Sequence, residues 1–272
     1  KRQTYHRSEH VFKKRPDGGF EKVVVRKRPG TESICAAILN KYNVDTVPHL
    51  ICGGFSVNET EDALINLHYL GIDNVLVLRG DAAKNEMSFE AEPGGHKYAS
   101  DLLKQVVDLN DGIYQEEDLR DSHKTAFCIG VAGYPEKHFE APNMDADLQH
   151  LKKKVELGAD YIITQMFFDN NKYHEFVKRC REMGITVPII PGLKPIYNKK
   201  QLTVLPKTFH IDLPSDLANA VHKCKTDLEV EKVGAEWLLM QSRELKKSGV
   251  PVLHYYYTLG RPQLIADVVG QI

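Results

Sequence analysis

Several polar residues follow directly on short apolar runs, with no spacer between them. The run VLVL (75–78) leads straight into Arg79, Gly80 and Asp81. HLICG (49–53) has His49 at its start and Cys52-Gly53-Gly54 at its end, and AFCIGVAGYP (126–135) ends in Tyr134, with Glu136 and His138 just beyond. YIITQMFF (161–168) carries Gln165, VPIIPGL (187–193) is followed by Lys194, and LHYYYTL (253–259) contains Tyr256 and precedes Arg261. Gly80 would let a ligand approach the backbone closely. Blander readings stand beside these. Arg79 and Asp81 can form a surface ion pair, His49 can be a hydrogen-bonded core histidine, and His138 can be an ordinary loop residue. Gln165 is harder to set aside, because an amide within an apolar strand must find partners. An adhesive RGD tripeptide is not expected at a strand end.

The elements that would position these residues alternate. Helices are expected at 31–42, 57–71 (closed by Gly71), 96–110, 144–159, 171–184, 198–209, 227–249 and 261–271. Strands fall between them at 49–53, 74–80, 126–135, 161–168, 187–193 and 253–259. Continuous apolar strands separated by helices imply a parallel sheet covered on both faces. Open doubly wound and closed barrel sheets both fit, and the absence of a G-x-G-x-x-G after a strand weakens the dinucleotide-binding version. In either arrangement ligands collect at the C-terminal strand ends, where the polar residues stand. Helix 144–159, opened by Asn143, carries a core stripe of Leu148, Leu151 and Val155. Asp147, His150 and Lys154 repeat that spacing one position earlier. They form either a solvated face or a ledge that reaches a phosphate or ribose.

Composition narrows the classes. Lys+Arg 36 against Asp+Glu 37 gives a net charge of −1, which points to neither nucleic acid nor a membrane surface. Residues 1–30 are basic, yet PDGG (16–19) between two strand-like runs reads as a hairpin whose edge lysines resist pairing. No apolar stretch reaches the roughly 18 residues of a membrane span, and no signal peptide is recognisable. Five cysteines with no CxxC pair read as free thiols of a cytoplasmic protein. No pair of His or acidic residues stands at metal-ligand spacing, so no metal is expected.

Taken together, VPHLICGG (47–54), NVLVLRGD (74–81), HKYASDLLK (96–104), VAGYPEKHFEA (131–141), DLQHLKKKVELGADYIITQMFFD (147–169), VPIIPGLKPI (187–196) and LHYYYTLGR (253–261) resemble the flavin-dependent methylenetetrahydrofolate reductases. The resemblance runs in order along nearly the whole chain from about residue 30. It implies an eight-stranded β/α (TIM) barrel with FAD at the strand C-termini, in an oxidoreductase of folate one-carbon metabolism and methionine biosynthesis. The family reduces its flavin with NAD(P)H and passes a hydride to 5,10-methylenetetrahydrofolate, giving 5-methyltetrahydrofolate. On matching motifs, Thr4, His49, Leu78, Arg79, Gly80, Asp81, Tyr98, Ala99, Tyr134, His138, Asp147 and Lys154 are the implied FAD contacts. Asp81, Gln165, Gln201 and Arg261 are the implied folate contacts, with Asp81 also the catalytic candidate. Partners are then NAD(P)H and the folate, with no nucleic acid and no membrane, and a homo-oligomer is left open.

The sequence also departs from the family pattern. The family's opening strand, of the type FEFFPP, and its general-acid glutamate do not occur in these 272 residues. The expectation is a single catalytic barrel domain over 1–272 that lacks the first strand and helix, carries an inserted hairpin near 10–28, and has no C-terminal regulatory domain. Glu136 stands in a different strand's loop and is not expected to replace that glutamate. His150 and Leu205 occupy positions where bacterial relatives are expected to carry other types. Two alternatives follow: a catalytically impaired flavin-binding barrel fragment, or an aldolase-like phosphate-binding barrel with Lys194 as a Schiff-base lysine.

Overall fold

The computed structural model describes residues 8–26, 29–82, 88–116, 118–256 and 262–272. The basic N-terminal stretch forms the expected hairpin. β1 (Ser8–Lys14) and β2 (Phe20–Arg26) pair antiparallel from Ser8↔Arg26 to Lys14↔Phe20. Asp17 shapes its turn by accepting the Gly19 N–H at 2.9 Å, and Gly18 takes a φ of +89°, which a residue with a side chain rarely adopts.

The chain forms two compact units, residues 2–131 with 157–159, and residues 132–156 with 160–272. The first unit holds α1 (Thr31–Tyr42), β3 (His49–Ile51), α2 (Val57–Tyr69), β4 (Asn74–Leu78), α3 (Ala99–Asn110) and the start of β5 (Cys128–Gly133). β4 pairs parallel with both β3 and β5. Val75, Leu76 and Val77 are all buried, so both faces of β4 are covered, as expected of a parallel sheet. A capping box starts α2. Ser56 Oγ accepts the Glu59 N–H, and the Glu59 carboxylate accepts the Ser56 N–H at 2.8 Å. Gly71, at φ +73°, closes the helix as the sequence suggests.

The second unit holds α4 (Met144–Glu156), β6 (Tyr161–Met166), α5 (Asn170–Glu182), β7 (Ile189–Leu193), α6 (Gln201–Phe209), α7 (Ser215–Lys223), α8 (Asp227–Lys247), β8 (His254–Tyr255) and α9 (Pro262–Val269). β7 pairs parallel with β6 and with β8. α7 lies in a stretch, 210–226, to which the sequence reading assigns no element. Its apolar signal is only Leu217 and Val221, one turn apart, and both are fully buried. These two join Met166, Phe168, Leu205, Ile211 and Val230 in a core against which Leu213, Trp237 and Tyr256 pack. α8 passes very close to the segment after β7: a Cβ on Gly234 would lie 1.8 Å from the Ile196 carbonyl oxygen. Only a glycine permits that approach.

The register between β6 and β7 matters for the site. Ile163 faces Ile190, and the next pair is Met166 with Gly192, so three steps along β6 match two along β7. The surplus residue makes a bulge at Thr164–Gln165. Bulges of this kind re-aim side chains.

Candidate functional site

In the first unit the ends of β3 and β4 are stitched together. The Cys52 N–H donates to the Leu78 and Arg79 carbonyl oxygens at 3.3 and 3.1 Å. Arg79 places its guanidinium over the Phe89 ring, 5.4 Å from the centroid. Gly80 has φ +91°, so the backbone after Arg79 turns in a way that disfavours any side chain. Burial raises the Cys52 thiol to about 12, with Asp101 of α3 adding to the rise and Arg79 opposing it. Cys52 is therefore a neutral thiol lying within range of both charges. Burial also lowers the His49 pKa, which favours the neutral imidazole. Leu78 is half-buried and Asp81 exposed. Tyr98 is exposed at the N-terminus of α3, where its N–H donates to the Asp101 carboxylate at 2.9 Å, and Ala99 follows half-buried. This cap explains why α3 begins at Ala99, later than the expected residue 96. Leu78, Arg79, Gly80 and Asp81 thus gather at the end of β4, while His49 stands at the start of the neighbouring β3.

In the second unit the loop after β5, residues 134–141, is held by charged side chains. Asp147, in the first turn of α4, accepts the His138 N–H at 2.9 Å. Lys137 donates to the His138 and Ala141 carbonyl oxygens at 3.0 and 2.6 Å. Two turns along α4 from Asp147, Lys154 donates to the Ala132 carbonyl oxygen at 2.9 Å. Burial of the Lys154 ammonium lowers its pKa to about 8, and Asp147 opposes that shift. Tyr134 meets the His138 ring edge-on, with centroids 4.7 Å apart. The Glu140 N–H donates to His138 Nδ1 at 3.3 Å, which assigns the proton of a neutral ring to Nε2. Tyr134, His138, Asp147 and Lys154 therefore come together. His150, on the same stripe, is exposed.

Farther along the same unit, the bulge sets Gln165 on a partly accessible face, with Thr164 and Met166 buried to either side. Gln165 Oε1 accepts the N–H of its own neighbour Met166 at 3.0 Å. Tyr256 donates to the Thr164 carbonyl oxygen at 2.9 Å, and burial with the nearby Tyr134 phenol raises its pKa. Tyr134 and Tyr256 therefore lie close together. Lys194, after β7, is buried with its ammonium 5.5 Å from the Tyr197 ring centroid, and burial lowers its pKa to about 8. Gln201 is buried at the start of α6, and its amide oxygen accepts the Tyr197 N–H at 2.7 Å. That acceptor is already engaged in a local cap, which leaves its amide N–H groups for other partners. Thr4 and Arg261 lie outside the described residues.

Sequence reasoning set Glu136 aside, and the structure gives it a place. Its Oε2 accepts the Asp212 N–H at 2.5 Å, while its buried Oε1 meets no hydrogen-bond partner. Burial raises its pKa to about 7. Glu136 borders a cavity of about 380 Å³ that Lys172, Arg179 and His210 also line. Gln165, Lys194, Gln201 and Tyr256 are not among that cavity's walls. The one sequence signal was an acid just past a strand end.

A sequence model of the methylenetetrahydrofolate reductase family matches residues 21–272. The chain belongs to the methylenetetrahydrofolate reductase family. Methylenetetrahydrofolate reductase 1 of Schizosaccharomyces pombe is 35% identical over 227 residues, which make 83% of this chain and 35% of that protein. The probable methylenetetrahydrofolate reductase (NADPH) of Caenorhabditis elegans is 31% identical over 255 residues, 93% of this chain and 36% of the relative. The 5,10-methylenetetrahydrofolate reductase of Escherichia coli is 34% identical over 242 residues, 88% of this chain and 73% of the relative. The chain thus spans about a third of the yeast and nematode members and most of the bacterial one. Among solved structures, a Clostridium thermocellum protein described as binding two copies of 5-methyl-5,6,7,8-tetrahydrofolic acid superposes with a TM-score of 0.53. That match covers 86% of this chain and 75% of the other at 17% identity, and it shows an α/β fold with a parallel-strand half-barrel. Among the described residues no helix is long and apolar enough to cross a membrane. Nor, among them, do three or more His, Cys, Asp or Glu residues cluster so as to hold a metal ion.

Proposed function

We propose that this chain reduces 5,10-methylenetetrahydrofolate to 5-methyltetrahydrofolate with electrons from NAD(P)H, using FAD, on a β/α fold of the TIM-barrel type in which residues 1–272 act as one catalytic domain. Family membership over residues 21–272 is the observation that carries the reading. Relatives named for NADPH and for NADH support the reductant class. The methylated folate bound by the Clostridium thermocellum protein supports the product class.

The residues present fit a flavin dinucleotide. Arg79 followed by Gly80 at φ +91° combines a cation with a backbone that a pyrophosphate can approach. When bound, the flavin supplies the hydride chemistry. The protein's part is to hold and orient the reactants. On the family's motifs His49, Leu78, Arg79, Gly80, Asp81, Tyr98 and Ala99 would be cofactor contacts, with His49 neutral because its charged form is desolvated. Tyr134 and His138, on a loop fixed by Asp147, and Lys154, which would add positive charge, are the further motif-based contacts. Gln165, aimed by the bulge, would read a pterin edge, and Asp81 would hold a ring nitrogen through its carboxylate. The amide N–H groups of Gln201 would serve the folate from α6. Thr4 and Arg261 complete the family's motif-based set, and cytoplasmic action in methionine biosynthesis accompanies it.

The test is flavin retention and turnover. The purified protein should be yellow, bleach with NADH or NADPH, and recover colour on adding 5,10-methylenetetrahydrofolate. Arg79→Ala should lose most of its FAD, and Asp81→Asn should keep FAD but turn over slowly. Unchanged FAD content and turnover in both variants would overturn this site, and a colourless protein that cannot be loaded with FAD would overturn the function.

A further inference from the structure

Two independent links join the loop 134–141 to the segment after α6. Glu136 Oε2 accepts the Asp212 N–H at 2.5 Å. Phe139, although 56% exposed, stacks on His210 with centroids 4.9 Å apart and planes 18° from parallel. On each side of this junction a residue other than glycine sits in the left-handed region, Lys137 at φ +78° and His210 at φ +53°. Such conformations are strained and persist only where the surroundings impose them. The imposing contacts are on view: Lys137 grips two carbonyl oxygens of its own loop, and Ile211 beside His210 is buried in the core with Leu205.

We propose that Glu136 is a positioning residue, a clamp between the loop that carries Tyr134 and His138 and the segment that closes α6, which protonation loosens. The bond from Asp212 is charge-assisted while the carboxylate is ionised, and such bonds are roughly twice as strong as neutral ones. A proton on Glu136 removes that advantage. It also adds an O–H where the buried Oε1 meets no protein partner. The adjoining cavity of about 380 Å³ gives the neutral carboxyl room to leave Asp212.

The surrounding charges are compatible with a switch near neutrality. Burial raises the pKa of Glu136 to about 7; the bond from the Asp212 N–H opposes that rise, the Asp212 and Asp169 carboxylates add to it, and Lys172 of α5 opposes it. Arg179, also on α5, is engaged by Asp145, and Lys137 by the carbonyl oxygens of its loop. Glu175 of α5 and His210 are the other ionisable groups on the cavity wall. Because the folded pKa lies above the ordinary 4.5, the stability from this group is complete below about pH 4.5. It is lost as pH rises through about 7. The clamp runs the opposite way: it is tight above pH 7, where ionisation strengthens the bond to Asp212.

The clamp itself does not depend on the flavin reading; only its consequence for cofactor affinity rests on that proposal. The single tryptophan, Trp237, packs on the core that holds Ile211 and Leu205, and so reports on the clamped segment. Its emission in the full chain should shift between about pH 6 and pH 8 with a midpoint near 7. Glu136→Gln should abolish the transition and hold the low-pH signal throughout. His210→Gln should retain the transition. In a parallel titration, FAD affinity should fall several-fold from pH 8 to pH 6 in the unsubstituted protein and stay flat in Glu136→Gln. Persistence of the tryptophan transition in Glu136→Gln, or its loss in His210→Gln alone, would overturn the clamp. Absence of FAD binding with the tryptophan result intact would overturn the flavin reading and leave the clamp standing. Should Glu136→Gln fail to fold, infrared titration of the unsubstituted protein decides. A protonated carboxyl band that disappears with a midpoint near 7 supports the clamp, and no such band at about pH 6 overturns it.

Discussion

Replacing Gly192 with alanine should destabilise the second unit well beyond an ordinary Gly→Ala change. A Cβ built on Gly192 lies 2.3 Å from the Thr164 carbonyl oxygen and 2.5 Å from a ring carbon of Tyr256. Favourable non-bonded separations are about 3.5–4.0 Å, so the new methyl is short by roughly 1 Å on two sides. Neither neighbour can retreat freely. The Thr164 carbonyl is backbone at the bulge and accepts the Tyr256 hydroxyl at 2.9 Å, while Thr164 Oγ1 accepts the Gly192 N–H at 2.9 Å. Relief requires β7 to move away from β6. Overpacking of this kind costs about 1–3 kcal/mol, and straining two buried hydrogen bonds adds roughly 1 kcal/mol each. The expected loss is therefore roughly 3–5 kcal/mol, a large share of the about 5–15 kcal/mol that holds a domain folded. Urea unfolding followed by Trp237 fluorescence measures it as a fall in midpoint at constant slope. Gly184→Ala is the control, since Gly184 has φ +83° but open space around its Cβ position. It carries only the backbone strain, about 1–2 kcal/mol. If Gly192→Ala lost less than Gly184→Ala, the close packing of β6, β7 and Tyr256 described above would be wrong.

Lys154 gives a pH signature of its own. Its pKa, lowered to about 8 from the ordinary 10.5, means that its stability contribution is complete above about pH 10.5 and is lost as pH falls through about 8. The difference in stability between Lys154→Met and the unsubstituted protein should therefore change with pH across that window, and a flat difference would count against the buried ammonium. For the thiols, Cys128 is exposed whereas Cys35, Cys52, Cys180 and Cys224 are buried, and burial pushes Cys52 and Cys180 up to about 12. An aromatic disulfide reagent should modify one thiol quickly in the native protein, and Cys128→Ser should remove that fast phase. Rapid reaction of several thiols would show that the buried set is more accessible than the structure indicates.

Local signals carried most of the fold. Gly71 ends α2 where its left-handed φ is needed, and Asn143 caps α4 by accepting the Ala146 N–H at 2.8 Å. The Asp17-Gly18-Gly19 turn is legible for the same reason, because turn chemistry depends on adjacent residues. α7 was not legible: two apolar residues one turn apart are too faint until a core exists for them to fill. The site shows the same division. Asp147 and Lys154 could be placed on one helix face from spacing alone, yet their targets, the His138 N–H and the Ala132 carbonyl, are backbone groups that spacing cannot name. Gln165 stood out by its chemistry, but the bulge that aims it arises from register with β7 and leaves no local mark. Glu136 was passed over because its partner lies 76 residues away and is an amide N–H, a partner that no residue type announces.

The seven-residue spacing between Asp147 and Lys154 implies two anchorages about 10 Å apart along α4. One grips the middle of the loop at His138 and the other the strand residue Ala132 just before the loop begins. A segment tethered at one point can pivot, whereas one tethered at two must carry its support along. Any rocking of Tyr134 and His138 to admit a planar ligand would therefore drag α4 with it, so adaptation to ligands of different thickness must come from side-chain rotation or from elements other than this loop.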